Sequence, residues 1–125
     1  MNVPFKSLIA GFAISAASIT SVAVMAADTI LTDSSGMTLY TFDKDSDGVS
    51  NCNGGCAIKW PPYLMEDGAN AKMGFGHIIR EDGSKQWTYQ NEPLYTWVGD
   101  KKKGDTTGDG LGGVWHVAEK SGYSY

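Results

Sequence analysis

The sequence predicts a small, mainly β, pseudo-symmetric antiparallel domain built from two copies of a repeat of about 55 residues. Three observations carry that reading. First, the chain matches itself at an offset of 55. Leu39-Tyr40-Thr41-Phe42 falls on Leu94-Tyr95-Thr96-Trp97, Asp45 on Asp100, Gly55 on Gly110 and Trp60 on Trp115. Two copies are too few for a solenoid, so the halves are expected to complete one core. Second, short segments of alternating apolar and smaller or polar residues recur between clusters of Gly, Asp and Asn, the pattern of half-buried strands closed by turns. Third, the 125 residues contain 16 Gly, 4 Trp, 6 Tyr and 4 Phe, a turn-rich composition with enough aromatic surface for one packed interior.

The elements follow in order. Lys6 precedes a charge-free stretch of about 17 residues, Leu8 to Val24, which exits through Met25, Ala26 and Ala27 before the first acid, Asp28. A charged start, an apolar run and a small-residue exit describe a secretory signal peptide over residues 1–26. The run is at the lower limit for a membrane span and is diluted by Ser, Ala and Gly. Residues 27–125 then form a single domain, with half-repeats at about 29–65 and 78–118. Thr29 to Thr32 reads as a strand, Asp33-Ser34-Ser35-Gly36 as a turn and Met37 to Phe42 as the next strand. Cys56 to Trp60 is the one helical candidate, stopped by Pro61-Pro62. His77 to Arg80 and Gln86 to Tyr89 flank a Gly-containing loop as a hairpin. Pro93 to Val98 and Gly113 to Val117 complete the strands.

Taken together, Y-T-F-D-K-D from Tyr40, C-N-G-G-C-A-I-K-W-P-P from Cys52, R-E-D-G-S-K-Q-W-T-Y from Arg80, P-L-Y-T-W-V-G-D from Pro93, G-D-T-T-G-D-G from Gly104 and G-V-W-H-V from Gly113 resemble the bacterial secreted-repeat family. That family is also described as predicted lipoproteins with a Y-x-(F/W/Y)-x-x-D motif. The resemblance runs from about Thr29 to Val117. It implies an extracytoplasmic domain of unknown biochemical function and supplies no catalytic residues. No cysteine stands near the leader junction, so the lipoprotein description is not carried over.

The candidate sites are few. Cys52 and Cys56 are the only cysteines, and an even count in an exported chain points to a disulfide, with a redox pair or metal site as the alternatives. Asp43, Asp45 and Asp47 form a D-x-D-x-D-G run that, with Asn51, could converge on calcium; the competing reading is a solvated turn. Its twelfth position is Gly54, not the glutamate of a calcium-binding helix-loop-helix. Asp105 to Gly110 has a similar outline. His77 and His116, with Met37, Met65 and Met73, are the available soft ligands for copper, but no two share a spacing that places them on one strand face. Strand alternation puts Tyr40 with Phe42, and Tyr95 with Trp97, on one face. If open, that face would offer ledges for a planar ligand, with Trp115 and His116 beside them; the competing reading is that these rings are the core.

Fourteen acids against ten bases give a net charge of −4, which becomes −5 when Lys6 leaves with the leader. No basic stripe is present, which disfavours nucleic acid as a partner. The chain lacks G-x-S-x-G, H-E-x-x-H and a phosphate loop. The leading expectation is therefore a periplasmic or secreted, non-enzymatic binding or envelope-associated module. It would have no transmembrane anchor after processing, no certain cofactor, and a protein or small-molecule partner outside the cytoplasm. The alternative is a periplasmic metal-linked protein, calcium-stabilised or a copper or electron-transfer accessory. N-terminal sequencing of the exported form should start at Ala27 or Asp28; an intact Met1 on membrane-bound protein would remove the leader assignment.

Overall fold

The two L-Y-T-(F/W) segments meet at their tyrosines. In the computed structural model, which describes residues 29–120, the Tyr40 N–H donates to the Tyr95 carbonyl at 2.8 Å and the Tyr95 N–H returns to the Tyr40 carbonyl at 3.0 Å. The expected leader lies outside the described residues. A mutually bonded antiparallel pair has a local two-fold axis between its members. That axis therefore passes between the two residues that the repeat equates.

The contacts around it come in matched pairs. Val117 stands opposite Tyr40, and Pro62 opposite Tyr95. The Asp43 N–H donates to Val114 O at 2.8 Å, as the Val98 N–H does to Lys59 O at 3.1 Å. The Asp45 N–H closes a turn onto Phe42 O and the Asp100 N–H closes one onto Trp97 O. Each pair is related by the offset of 55, so the mainly β, two-copy architecture expected from sequence is the one observed.

Strand β1 (Tyr40–Phe42) pairs antiparallel with β5 (Trp115–Val117), with Phe42 opposite Trp115. A second sheet holds β2 (Phe75–Ile79), β3 (Lys85–Tyr89) and the two-residue β4 (Glu92–Pro93), in that order. The β2–β3 hairpin is the one expected. The turn into β4 uses Gln90 and Asn91, with φ of 53° and 69°, and a two-residue hairpin turn of type I′ needs positive φ at both central positions. Helix α1 (Gly55–Lys59) ends where Trp60 donates its N–H to Cys56 O, just before the two prolines. Its counterpart 55 residues on is a 3-10 turn, Leu111–Gly113.

Four strand expectations shrink. Met37 to Phe42 is a strand only over Tyr40–Phe42, with Thr38 in an isolated bridge, and Gly113 to Val117 only over Trp115–Val117, because Gly113 belongs to the 3-10 turn. Pro93 to Val98 is not continuous: Tyr95 bonds Tyr40, the Thr96 N–H goes to Pro61 O and the Val98 N–H to Lys59 O, so the segment bends among several partners. Thr29 to Thr32 survives as isolated bridges from Ile30 to Glu119 and from Thr32 to Thr38. The Asp33 carboxylate accepts the N–H groups of Ser35 and Met37 and turns the chain there.

Both faces of the L-Y-T-(F/W) segments are packed. One side is aromatic: Tyr40, Trp60, Tyr95 and Trp115 are buried together with Cys52, and Phe42 and Trp97 pack against them. The rings form a continuous stack. Phe42 lies on Trp115 (centroids 4.1 Å, 10°), Trp115 on Trp60 (3.8 Å, 1°) and Trp60 on Trp97 (4.3 Å, 29°). Tyr40 meets Trp60 edge-on, and Tyr95 meets Trp115 the same way. Gly108 closes one side of the stack, where an added Cβ would come within 2.7 Å of the Trp60 ring. On the other side Leu31, Leu39, Leu94 and Ala118 form a smaller aliphatic core, covered by Tyr63, Phe75, Trp87 and Tyr89.

Each large ring buries about 150–250 Å². At about 25 cal/mol per Å² that corresponds to about 4–6 kcal/mol of transfer free energy per ring. Trp60→Ala and Trp115→Ala should each cost about 3–5 kcal/mol, from residues only 5% and 6% exposed. Against a total stability of about 5–10 kcal/mol, urea titration should find both variants unfolding at a much lower urea midpoint than the parent, and equally so if the halves are structurally equivalent.

Candidate functional site

The residues that sequence singles out are occupied in holding the fold. The Tyr40 hydroxyl donates to Asp100 Oδ2 at 2.7 Å, and the Tyr95 hydroxyl donates to Asp45 Oδ2 at 2.7 Å. The tyrosine of each Y-x-(F/W)-x-x-D motif therefore bonds the aspartate of the other. Each aspartate is held in turn. Asp45 Oδ1 accepts the Asn51 N–H at 2.7 Å, and Asp100 Oδ1 accepts the Thr107 N–H at 2.9 Å and its hydroxyl at 2.6 Å.

Around Tyr95 the network extends outward. Ser50 Oγ lies 2.6 Å from the Tyr95 hydroxyl and accepts from Arg80 Nη1 at 3.0 Å. The same guanidinium reaches Gln86 Oε1, Cys52 O and Asn53 Oδ1. The Cys52–Cys56 disulfide is formed, its Cα atoms 5.2 Å apart, so Arg80 joins that loop to the β2–β3 hairpin. Gln86 is fully buried, and its amide nitrogen donates to Leu94 O.

The expected ligand-facing aromatics are thus divided. Tyr40, Tyr95 and Trp115 are inside the core, and Phe42 and Trp97 are half-buried at the two ends of the stack. His116 lies outside it, with Nε2 at 2.8 Å from Asp43 Oδ2 in an exposed pair. Exposed pairs of this kind contribute little to stability.

The acidic residues are also divided. Asp43, Asp45 and Asp47 line one cleft of about 110 Å³ together with Glu92. Asp45, however, uses both oxygens within the fold, and the Asn51 side chain donates to Lys44 O. In the second run Asp105 accepts the N–H groups of Lys101 and Lys102, and Asp109 accepts that of Val117. Among the described residues no three His, Cys, Asp or Glu side chains are grouped so as to hold a metal ion.

A different aromatic group faces a cavity. Tyr63, Phe75 and Trp87, with Thr32, Asn70 and Lys72, line a cleft of about 210 Å³. Backbone bonds fix its walls. The Tyr63 N–H donates to Leu94 O, and the Trp87 N–H donates to Tyr63 O. Alternation along β3 buries Gln86 and Thr88 and turns Trp87 to the opposite side. Its ring lies 6.3 Å from Tyr63 at 29° and 6.0 Å from Phe75 at 84°.

Burial raises the pKa of the Tyr63 hydroxyl, and nearby Asp33 and Glu66 push it the same way against the Ser34 N–H. The sequence reading missed this cleft because its residues lie outside the repeat motif. Fifty-five positions from Trp87 stands Thr32, and 55 from Tyr63 stands Ala118.

Burial also raises the Tyr40 and Tyr95 hydroxyls well above their ordinary value of 10.0, reinforced by Asp100 and Asp45 respectively; Ser50 opposes the shift at Tyr95. Folding then favours the protonated phenols, so their stabilisation is complete below pH 10 and is lost as pH rises beyond it. In alkaline titration, tyrosinate absorbance from these two residues should appear only with unfolding, and Tyr95→Phe should make stability less steeply dependent on pH above 10. Asp45 is raised by burial, which outweighs the lowering by the Asn51 N–H, Tyr95 and Arg80. Its contribution is therefore greatest below its ordinary value of 3.8 and declines as pH rises through the raised one.

A family model described as a secreted repeat of unknown function matches residues 22–63 and 76–119, one match for each half. No curated protein and no solved structure matches the chain. Among the described residues no helix is long and apolar enough to cross a membrane.

Proposed function

The chain belongs to this family of secreted repeats, and we propose that it is an exported, non-enzymatic binding module whose ligand site is the Tyr63–Phe75–Trp87 cleft. The observation that carries the reading is where the pseudo-symmetry fails. The matched residues Tyr40 and Tyr95, Asp45 and Asp100, and Trp60 and Trp115 are consumed by contacts with one another. Three aromatic side chains that the repeat does not require instead gather around an open cavity, with Thr32, Asn70 and Lys72 at its edge. Apolar walls with a few polar groups are the usual composition of a small-molecule site. The leader supports action outside the cytoplasm, in the periplasm or beyond the cell.

A calcium-linked role is the second reading: Asp43, Asp45, Asp47 and Glu92 line one cleft, although both Asp45 oxygens are already bonded within the fold and no three of these carboxylates are grouped so as to hold a metal ion. Native mass spectrometry of protein purified from the exported fraction distinguishes the two. The first reading expects a non-covalent adduct of small organic mass that disappears in Asn70→Ala/Lys72→Ala, a change confined to exposed positions. An adduct that persists in that variant would overturn the cleft assignment. A calcium-mass adduct lost in Asp47→Asn would favour the second reading.

A further inference from the structure

We propose that the Tyr63–Phe75–Trp87 cleft takes a single neutral pyranose ring, an assignment that rests on reading this cleft as the ligand site. Size comes first. The cavity of about 210 Å³ falls below the ~300 Å³ at which pockets for drug-sized ligands begin, so it accommodates one ring and not a lipid chain or a folded peptide.

The lining comes second. Of the three rings lining the cleft, Trp87 and Tyr63 lie 29° from parallel with centroids 6.3 Å apart, and Phe75 stands across Trp87 at 84°. An aromatic face carries negative quadrupole potential and attracts the slightly positive C–H groups of an apolar ligand face. Thr32, Asn70 and Lys72 add a hydroxyl, an amide and an ammonium around the same space. A purely aromatic ligand would leave those polar groups unused, and a small ion would leave the rings unused. A pyranose has both parts: an axial C–H face and a rim of equatorial hydroxyls.

Charge comes third. Among the described residues Lys72 is the one charged side chain in the lining, while Asp33 and Glu66 lie near enough to act on the Tyr63 hydroxyl. The two signs oppose each other locally, and the chain as a whole carries −4. No anionic ligand is favoured by that field.

The test uses the mature protein and its four tryptophan indole N–H resonances. Three of those tryptophans, Trp60, Trp97 and Trp115, belong to the core stack and serve as internal controls. Methyl β-glucoside, N-acetylglucosamine, glucuronate and p-cresol are titrated separately, with Trp87 assigned through Trp87→Phe. The expected result is a saturable millimolar shift of the Trp87 indole by the two neutral sugars, insensitive to salt. Asn70→Ala should weaken it about tenfold, the effect of one lost hydrogen bond near 1.4 kcal/mol.

Preference for glucuronate with salt dependence would overturn neutrality, and a response to p-cresol alone would overturn the sugar assignment. Either result leaves the cleft as a binding site. Failure of all four probes to move Trp87 would overturn the sugar proposal and count against the cleft itself.

Discussion

The reciprocal bond between each tyrosine and the other half's aspartate is the constraint from which the remaining structure follows. Tyr40 reaches Asp100 and Tyr95 reaches Asp45, while the two tyrosine backbones bond each other. The reach sets the spacing. The aspartate sits at the end of a tight turn that starts at Phe42 or Trp97, which brings its carboxylate back toward the axis. Because both tyrosine–aspartate contacts cross between halves, neither repeat can supply the acceptor for its own phenol or the phenol donor for its own aspartate Oδ2. Isolated, each would expose an indole face and leave a buried-type hydroxyl without its acceptor, a loss comparable to the whole stability of a small domain. The Trp60–Trp115 contact, parallel to within 1°, is the packing counterpart of this exchange.

Much of this was visible in the sequence, and for a physical reason. A residue that must meet its own copy across an axis is held to a fixed register, so Tyr, Asp and Trp recur together at the same offset. The β2–β3 hairpin and the short helix before Pro61 were legible because turn chemistry and proline are local properties. The assignment of faces was not. Alternation showed that Tyr40 and Phe42 lie together, opposite Leu39, but not that both sides would be covered, one by aromatic rings and the other by Leu31, Leu94 and Ala118. Pro93 to Val98 failed as a strand because its hydrogen bonds go to three different segments, a matter of tertiary placement that no local pattern carries.

The cleft was illegible for a related reason. Tyr63, Phe75 and Trp87 come from three segments: β2 and β3 are paired as a hairpin, and the Tyr63 segment joins them through backbone bonds to Trp87 and Leu94. Repetition draws attention to matched residues, yet a matched residue in a reciprocal fold is already bonded to its copy. Freedom to contact something else lies where the two halves differ. The partly buried rings around Trp87 roof the aliphatic core with one side and bound the cavity with the other, which ties the candidate site to a rigid support.

The same contrast explains the asymmetry around the two aspartates. Position 52 is a cysteine, and its counterpart 55 residues on is Thr107; Cys56 likewise corresponds to Leu111. Thr107 fixes Asp100 directly, giving Oδ1 both its N–H and its hydroxyl. The first half has no such side chain. Its Asp45 depends on the backbone N–H of Asn51, in a segment that must be held from elsewhere. The disulfide closes the loop immediately after it, and Arg80 anchors that loop through Cys52 O, Asn53 and Ser50. Closing so short a loop is worth only about 2 kcal/mol in the chain-entropy view. Its larger consequence is positional: it holds in place the backbone that presents a donor to Asp45, the task that one threonine performs in the other half.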